Sequence, residues 1–335
     1  MAQRLEKTRF DWIDQARGLS IFLVVYGHNF PVTEPYIYSF HVPLFFFISG
    51  MFHPKIVSAA VIGRRAKMIL IPYFIWALAL YLFWLFLGRN YGQSVISNSS
   101  PLDNLIGVFY AQGGQDFMDW GIPMWFLPCI FMVFVFFSAI QKLGERWAMI
   151  LAVFIAVAVG FCWAEFAGIH LPWSVDVALV SCGFYALGLY LKPTLIAIDR
   201  MKGLALFFIL LVVNFAAFQY NTEKVDMYRS IYGNPLLFFV SGIAGSLACV
   251  LLFKTVPVFK FLSYIGRHTI VLLATHIRML TLIKLFAVLI FGITVFDFSE
   301  LEKFLLAVAQ IVLAIPIIWL VNKYAPVLDG KVKKA

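Results

Sequence analysis

The sequence predicts an all-α integral membrane protein of about ten transmembrane helices, with the N- and C-termini cytoplasmic. Three observations carry this expectation. Hydrophobic residues make up 62% of the 335-residue chain and charged residues only 13%, against the roughly quarter expected of a soluble globule. The apolar runs are about 18–22 residues long, the length that crosses a hydrocarbon core at 1.5 Å per residue. With the N-terminus inside, 19 of the 26 Lys and Arg residues fall on inner loops and tails, 4 on the outer side and 3 within spans, the positive-inside asymmetry of a multi-span chain. That asymmetry also accounts for the net charge of +9 and leaves no need for a nucleic-acid partner.

Taken in order, the expected spans are 10–30, 37–53, 68–88, 124–141, 147–166, 173–191, 203–220, 235–253, 268–292 and 303–322. Each run is continuous rather than alternating, so helices and not barrel strands satisfy the backbone in lipid. The opening MAQRLEKTRFDWIDQAR contains no short apolar segment with a small-residue cleavage site, which argues against a removable signal peptide. The whole of 1–335 reads as one transmembrane domain with no appended soluble domain. Cys129, Cys162, Cys182 and Cys249 lie inside apolar runs without paired spacing, as small buried residues do, and neither disulfides nor a metal site is expected. The longest stretch outside the spans, about 89–123, lies on the outer side and is rich in Gly, Asn, Ser and Asp. Its Asp103, Asp116, Asp119 and Trp120 suit a sugar, with carboxylates for hydroxyls and an aromatic face for a pyranose; a solvated surface loop is the plainer reading.

The first span holds the polar residues around which the others are arranged. Asp14, Arg17 and His28 stand on an otherwise apolar run. An ideal helix places Arg17 and His28 about 20° apart in azimuth and roughly 16 Å apart in height, with Asp14 within reach of Arg17 on the same face. Ionisable groups at membrane depth look into the protein or a wet cavity and mark function by default. A short turn follows and makes the next helix antiparallel, so His41 returns at the depth of His28. A neutral imidazole suits general-base work near pH 7, oriented by a second polar group.

Other residues extend the candidate site. In HVPLFFFISG, Pro43 is expected to free a carbonyl and Ser49-Gly50 to permit close helix approach. Arg64, Arg65 and Lys67 stand at the inner mouth of the third span, either as plain topology signals or as a cradle for phosphates arriving from the cytoplasm. Trp125 opens the fourth span. His276 and Arg278 lie at membrane depth in the ninth, with Glu165 as a possible partner of Arg278; Asp176 and Asn214 are further intramembrane polar residues. No nucleotide loop, metal cluster or nucleophile elbow is evident.

The Arg17–His28 pair separated by ten residues, the HVPLFFFISG run, the basic patch ahead of IPYFIW, and MWFLP resemble the acyltransferase type 3 family over essentially the whole chain. Within that family the sequence is most similar to the fucose 4-O-acetylase-like branch. The resemblance implies a multi-pass enzyme of the bacterial cytoplasmic membrane that moves an acetyl group from cytoplasmic acetyl-CoA to a hydroxyl of a surface polysaccharide or its lipid-linked precursor. It implies essential roles for Arg17 and His28. The family's basic motif, two arginines separated by two residues, is imperfect here, because Lys67 or no cation stands at its second position. No esterase-like domain of the kind some relatives carry is expected within residues 1–335.

Together these readings give an O-acetyltransferase with a polar cavity between the first, second, third and ninth spans. His28 is the expected base or transient acetyl carrier, and Arg17, braced by Asp14, holds the donor or stabilises the oxyanion. Arg64, Arg65 and Lys67 steer the coenzyme phosphates. His41, Ser49, Trp125, His276, Asp116 and Trp120 are the expected acceptor contacts. A transporter or exporter of a glycan or acyl group is the rival, since buried charges and helix breaks serve transport too; no half-to-half repeat supports it. A catalytically idle membrane partner is the third reading.

Overall fold

The computed structural model describes residues 10–90, 98–293 and 295–331. Arg4, Lys7, Arg9, Lys333 and Lys334, counted above for topology, and 91–97 of the outer loop lie outside the described residues. The described chain is helical throughout, with only one isolated backbone bridge, Asp226 to Ile231. Eight helical segments among the described residues are long and apolar enough to cross a membrane, and they fall on the third to tenth expected spans. The first two expected spans are shorter. Helix α1 is Asp11–Gly27, 17 residues, and the second span is a broken pair, α2 (Glu34–Tyr38) and α3 (His41–Met51). Pro43 is the third residue of α3, where a missing N–H breaks no helical bond. It therefore does not free a carbonyl inside a span.

The remaining long helices are α4 (Ala59–Phe86), α7 (Phe126–Gln141), α8 (Arg146–Phe166), α9 (Val175–Ala197), α10 (Arg200–Tyr220), α11 (Pro235–Thr255), α13 (Thr269–Phe291) and α14 (Glu300–Tyr324). Shorter pieces fill the connections: α5 (Pro101–Tyr110), α6 (Gln115–Met118) and α12 (Lys260–Gly266). Local chemistry sets several starts. The Ser58 hydroxyl accepts from Val61 N at α4, Asp199 accepts from Lys202 N at α10, and Ser299 with Glu302 forms a capping box at α14.

Helix α1 is the central rod, packed by α3, α11, α12, α13 and α14, whereas α8 and α10 present mostly apolar side chains outward. Cys162 accordingly faces outward on α8, and only the other three cysteines are buried. Two glycines let α1 and α12 meet backbone to backbone: a Cβ on Gly18 would lie 2.0 Å from Leu262 O, and one on Gly266 would lie 1.8 Å from Asp14 O. This contact brings the α12–α13 junction beside the first turns of α1. Gly50 of α3 likewise lies against Tyr185 O of α9, the close approach expected of Ser49-Gly50.

The described part of the outer loop is a folded cap organised by Asn104. The Asn104 amide donates to Asp116 O, its Oδ1 accepts from Asp119 N, and its carbonyl accepts from Trp120 Nε1. Trp120 is thereby fully buried in the core. Arg278 donates to Trp120 O and lies over the Phe83 ring, so this carbonyl, not Glu165, takes the guanidinium.

Candidate active site

One cavity of about 590 Å³ opens along α1, lined on that helix by Asp14, Arg17, Ile21, Val24 and His28. Steps of three and four residues put all five on one stripe. His41, Phe45 and Ser49 of α3 line the facing wall at steps of four. The cavity also takes in Arg65, Trp125, the segment Asp226–Tyr228, the α12–α13 junction and the terminal residues 329–331. It thus extends beyond the four spans expected to enclose it.

At the C-terminal end of α1, three imidazoles share one arrangement. His28 Nδ1 is 2.7 Å from Val24 O, His41 Nδ1 2.8 Å from Ile37 O, and His276 Nδ1 2.9 Å from Leu272 O. A carbonyl only accepts, so each Nδ1 carries a proton, and in the neutral ring Nε2 is the atom with the lone pair. A main-chain oxygen four residues back takes the orienting role that a carboxylate plays elsewhere. His28 and His41 line the cavity, whereas His276 is 1% exposed and does not. The His276 ring packs against the His28 ring at 5.0 Å between centroids. It lies behind the candidate base and is not a surface for the acceptor.

A buried amide network fixes this end. Asn29 Nδ2 donates to Lys303 O and to Gln310 Oε1, both at 3.1 Å, and Gln310 Nε2 donates to His276 O at 3.3 Å. Gln310, fully buried in the middle of α14, therefore joins the residue after His28 to the ring behind it. It is not among the residues expected from the sequence, although an amide in so apolar a helix is itself a signal.

At the N-terminal end of α1, Arg17 Nη1 stands 4.0 Å from Asp14 Oδ1 and its guanidinium lies 5.0 Å from the Phe52 ring centroid. Side chains on a helix lean toward its N-terminus, so Arg17 points away from His28. Arg65 reaches the cavity from α4 and donates to Ser49 Oγ at 2.9 Å. Arg64 and Lys67 are exposed and do not line it. Met68 and Ile69, three and four residues beyond Arg65, share its face and do. Of the three basic residues expected as a phosphate cradle, only Arg65 is placed for it.

Polar and charged residues that the sequence alone does not single out complete this mouth. Arg267 and His268 follow the tight α1–α12 contact, and Asp329 and Lys331 come from the terminal turn. At the opposite mouth, Asp226 and Tyr228 line the cavity, and Glu34 and Lys224 pair at 2.6 Å. Burial, helped by Glu34 and opposed by Arg229 and Lys224, pushes the Asp226 carboxyl up to about 6. Trp125 lines the wall as expected, but Asp116 is exposed outside the cavity and Trp120 belongs to the cap. Asp176 accepts from Ser230 Oγ and Leu171 N, and Asn214 donates to Ser241 O, so both serve packing.

Among the described residues no cluster of three or more His, Cys, Asp or Glu is placed to hold a metal ion. Comparisons with curated proteins and with solved structures give no match. A family model described as an acyltransferase domain matches residues 10–323, which spans α1, the whole cavity stripe and all but the terminal turn. The chain belongs to the acyltransferase type 3 family and is a multi-pass membrane acyltransferase.

Proposed function

We propose that the protein is an O-acetyltransferase that takes its acetyl group from acetyl-CoA and gives it to a hydroxyl of a surface polysaccharide or lipid-linked glycan precursor. In this reading it sits in the bacterial cytoplasmic membrane with the N-terminal end of α1 toward the cytoplasm. The observation that supports it is the single cavity joining a cationic mouth, with Arg17 and Arg65, to an imidazole with a free Nε2 at the other end of α1. The eleven-residue rise between Arg17 and His28 is about 16 Å, close to the reach of an extended arm of roughly five residue lengths. A pantetheine arm has that reach, so phosphates held at the cationic mouth place the thioester near His28.

His28 Nε2 removes the proton of the acceptor hydroxyl as that oxygen forms its bond to the thioester carbonyl carbon. The C–S bond then breaks, and the imidazolium returns the proton to the departing sulfur. Coenzyme A leaves as the thiol and the glycan as the acetyl ester. Of the two roles expected for Arg17, the separation from His28 favours holding the donor over stabilising the oxyanion. Purified protein in liposomes, supplied with labelled acetyl-CoA and glycan, tests this. His28→Ala is expected to abolish acetyl transfer with folding unchanged, and retained turnover overturns the assignment.

A further inference from the structure

The terminal turn Pro326–Asp329 and the residues after it are built into the cavity wall. Trp76 Nε1 of α4 donates to Leu328 O at 3.0 Å. Gly330 takes a left-handed φ of +71° and sits where a Cβ would approach Met68 O at 2.9 Å. This fastens the turn to the cavity-facing side of α4, one helical turn beyond Arg65. Asp329 is thereby carried to His268, whose Nδ1–H donates to Asp329 Oδ2 at 2.6 Å. Lys331 Nζ approaches the same oxygen at 2.9 Å and also donates to Asn322 Oδ1.

Bonding capacity is left over on three residues. Lys331 has three N–H donors and gives two, to Asp329 Oδ2 and Asn322 Oδ1; its 3.5 Å approach to His268 Nδ1 uses none, because that nitrogen is itself donating. Arg267 donates from Nε to Ser263 O at 3.0 Å, and its terminal nitrogens have no hydrogen-bond partner among the described residues. Asp329 Oδ1 is buried with no partner among the described residues, although an unmet buried carboxylate oxygen is costly. All three residues line the same cavity mouth as Arg17 and Arg65. Cations with spare donors suit phosphate, and a buried lone pair beside them suits an N–H or O–H of whatever carries it.

We propose that the terminal turn and the α12–α13 junction form the nucleotide-binding wall of the donor site. Arg267 and Lys331 hold phosphate, and Asp329 Oδ1 accepts a hydrogen bond from the base or ribose. This rests on acetyl-CoA as donor, and it assigns the nucleotide half of that molecule to residues outside the helices that carry Arg17, His28 and Arg65. His268 is a positioning residue that keeps the Asp329 carboxylate in place.

Two measurements decide it. The ratio of kcat/KM for acetyl-CoA over acetyl-4′-phosphopantetheine, which lacks the nucleotide, is expected to fall about ten-fold in Lys331→Gln and in Arg267→Gln. Adenosine 3′,5′-bisphosphate is expected to raise the thermal midpoint of the wild-type protein and to lose that effect in both variants and in Asp329→Asn. Unchanged ratios, with no stabilisation of the wild type by the nucleotide, overturn the proposal. A loss that tracks the anionic phospholipid content of the vesicles and strikes both donors equally also overturns it, because the cations then hold a lipid headgroup. If the wild type turns over acetyl-CoA while the variants match it, the wall assignment alone fails. If the wild type does not use acetyl-CoA, the proposed function fails and the nucleotide measurement still decides the wall.

Discussion

Replacing Gln310 with methionine tests whether the polar network behind His28 serves chemistry or only packing. The substitution keeps the side-chain length and removes both ends of the link from Asn29 to the His276 carbonyl. Each neutral hydrogen bond contributes about 1 kcal/mol net, and the buried Asn29 N–H left without Gln310 Oε1 costs about 1–3 kcal/mol, so the loss is about 2–3 kcal/mol, partly offset because a fully buried amide becomes apolar. Asn29 keeps its bond to Lys303 O, which limits the damage further. The midpoint of unfolding should therefore drop by only a few degrees. Catalysis should suffer more. Gln310 holds the chain next to His28 and the ring packed 5.0 Å from it, and a misplacement of about 1 Å at the reacting group costs on the order of a hundred-fold. We expect kcat to fall about ten- to a hundred-fold with KM for acetyl-CoA within about two-fold, because the donor mouth lies three turns away along α1. Steady-state kinetics in liposomes, with a parallel melting curve, reads both quantities. Asn29→Leu combined with Gln310→Met should give less than the sum of the single losses, since both cut one network. A lowered midpoint with unchanged kcat refutes the positioning role.

Three further outcomes follow from the geometry. Arg65→Lys loses the guanidinium bond from Nη2 to Ser49 Oγ and should raise KM for acetyl-CoA about ten-fold, while Arg64→Gln and Lys67→Gln, on exposed positions, should stay within about two-fold; equal effects at all three would show a diffuse charge requirement. Asp226, with its carboxyl raised to about 6, keeps its proton to higher pH than an ordinary aspartate, so its carboxylate forms only as pH rises through that value. If it accepts a glycan hydroxyl, acceptor KM rises as pH falls below about 6 in the wild type and is flat over that range in Asp226→Asn. Trp120→Phe removes the bond to Asn104 O and should lower the melting midpoint with little change in acceptor KM, whereas a large KM change would restore Trp120 to the acceptor site.

Much of the central stripe was legible because its signal is strictly periodic. Asp14, Arg17 and His28 are polar residues on an apolar helix, and the spacing that places them together is a property of α1 alone. The return of His41 needed only a short turn. The phase of the basic cluster at 64–67 was not legible, since neighbouring residues on a helix differ by about 100° and the flanking runs, Ala59 to Ile62 and Met68 to Ile71, are apolar all round and set no phase. Trp120 was read as a sugar platform from its company in the loop, yet Asn104 draws it into the core. The His268–Asp329 contact joins residues 61 apart in sequence, through a terminal turn that no helical period connects to α13. Gln310 is the different case: an amide inside so apolar a helix is a signal the sequence carries on its own.

The polarity of the cavity along α1 gives the proposed reaction its logic. Asp14 and Arg17 stand at one end and His28 at the other, while Ile21 and Val24 line the stretch between them. A donor with charged phosphates, an extended arm and a small acyl group presents the same order of polarity. Binding it in that order leaves the charged part at the cationic mouth and draws the thioester past an apolar waist to the imidazole. The waist then does two things at once. It excludes water from a thioester that hydrolysis would waste, and its length sets the Arg17 end of the cavity apart from the reacting end, which leaves the proton transfer to His28. A polar residue placed at the waist, Val24→Asp, should therefore uncouple the two halves, with acetyl-CoA hydrolysis rising relative to transfer. A variant that loses transfer and hydrolysis in equal measure would show the waist to be a passage and not a seal.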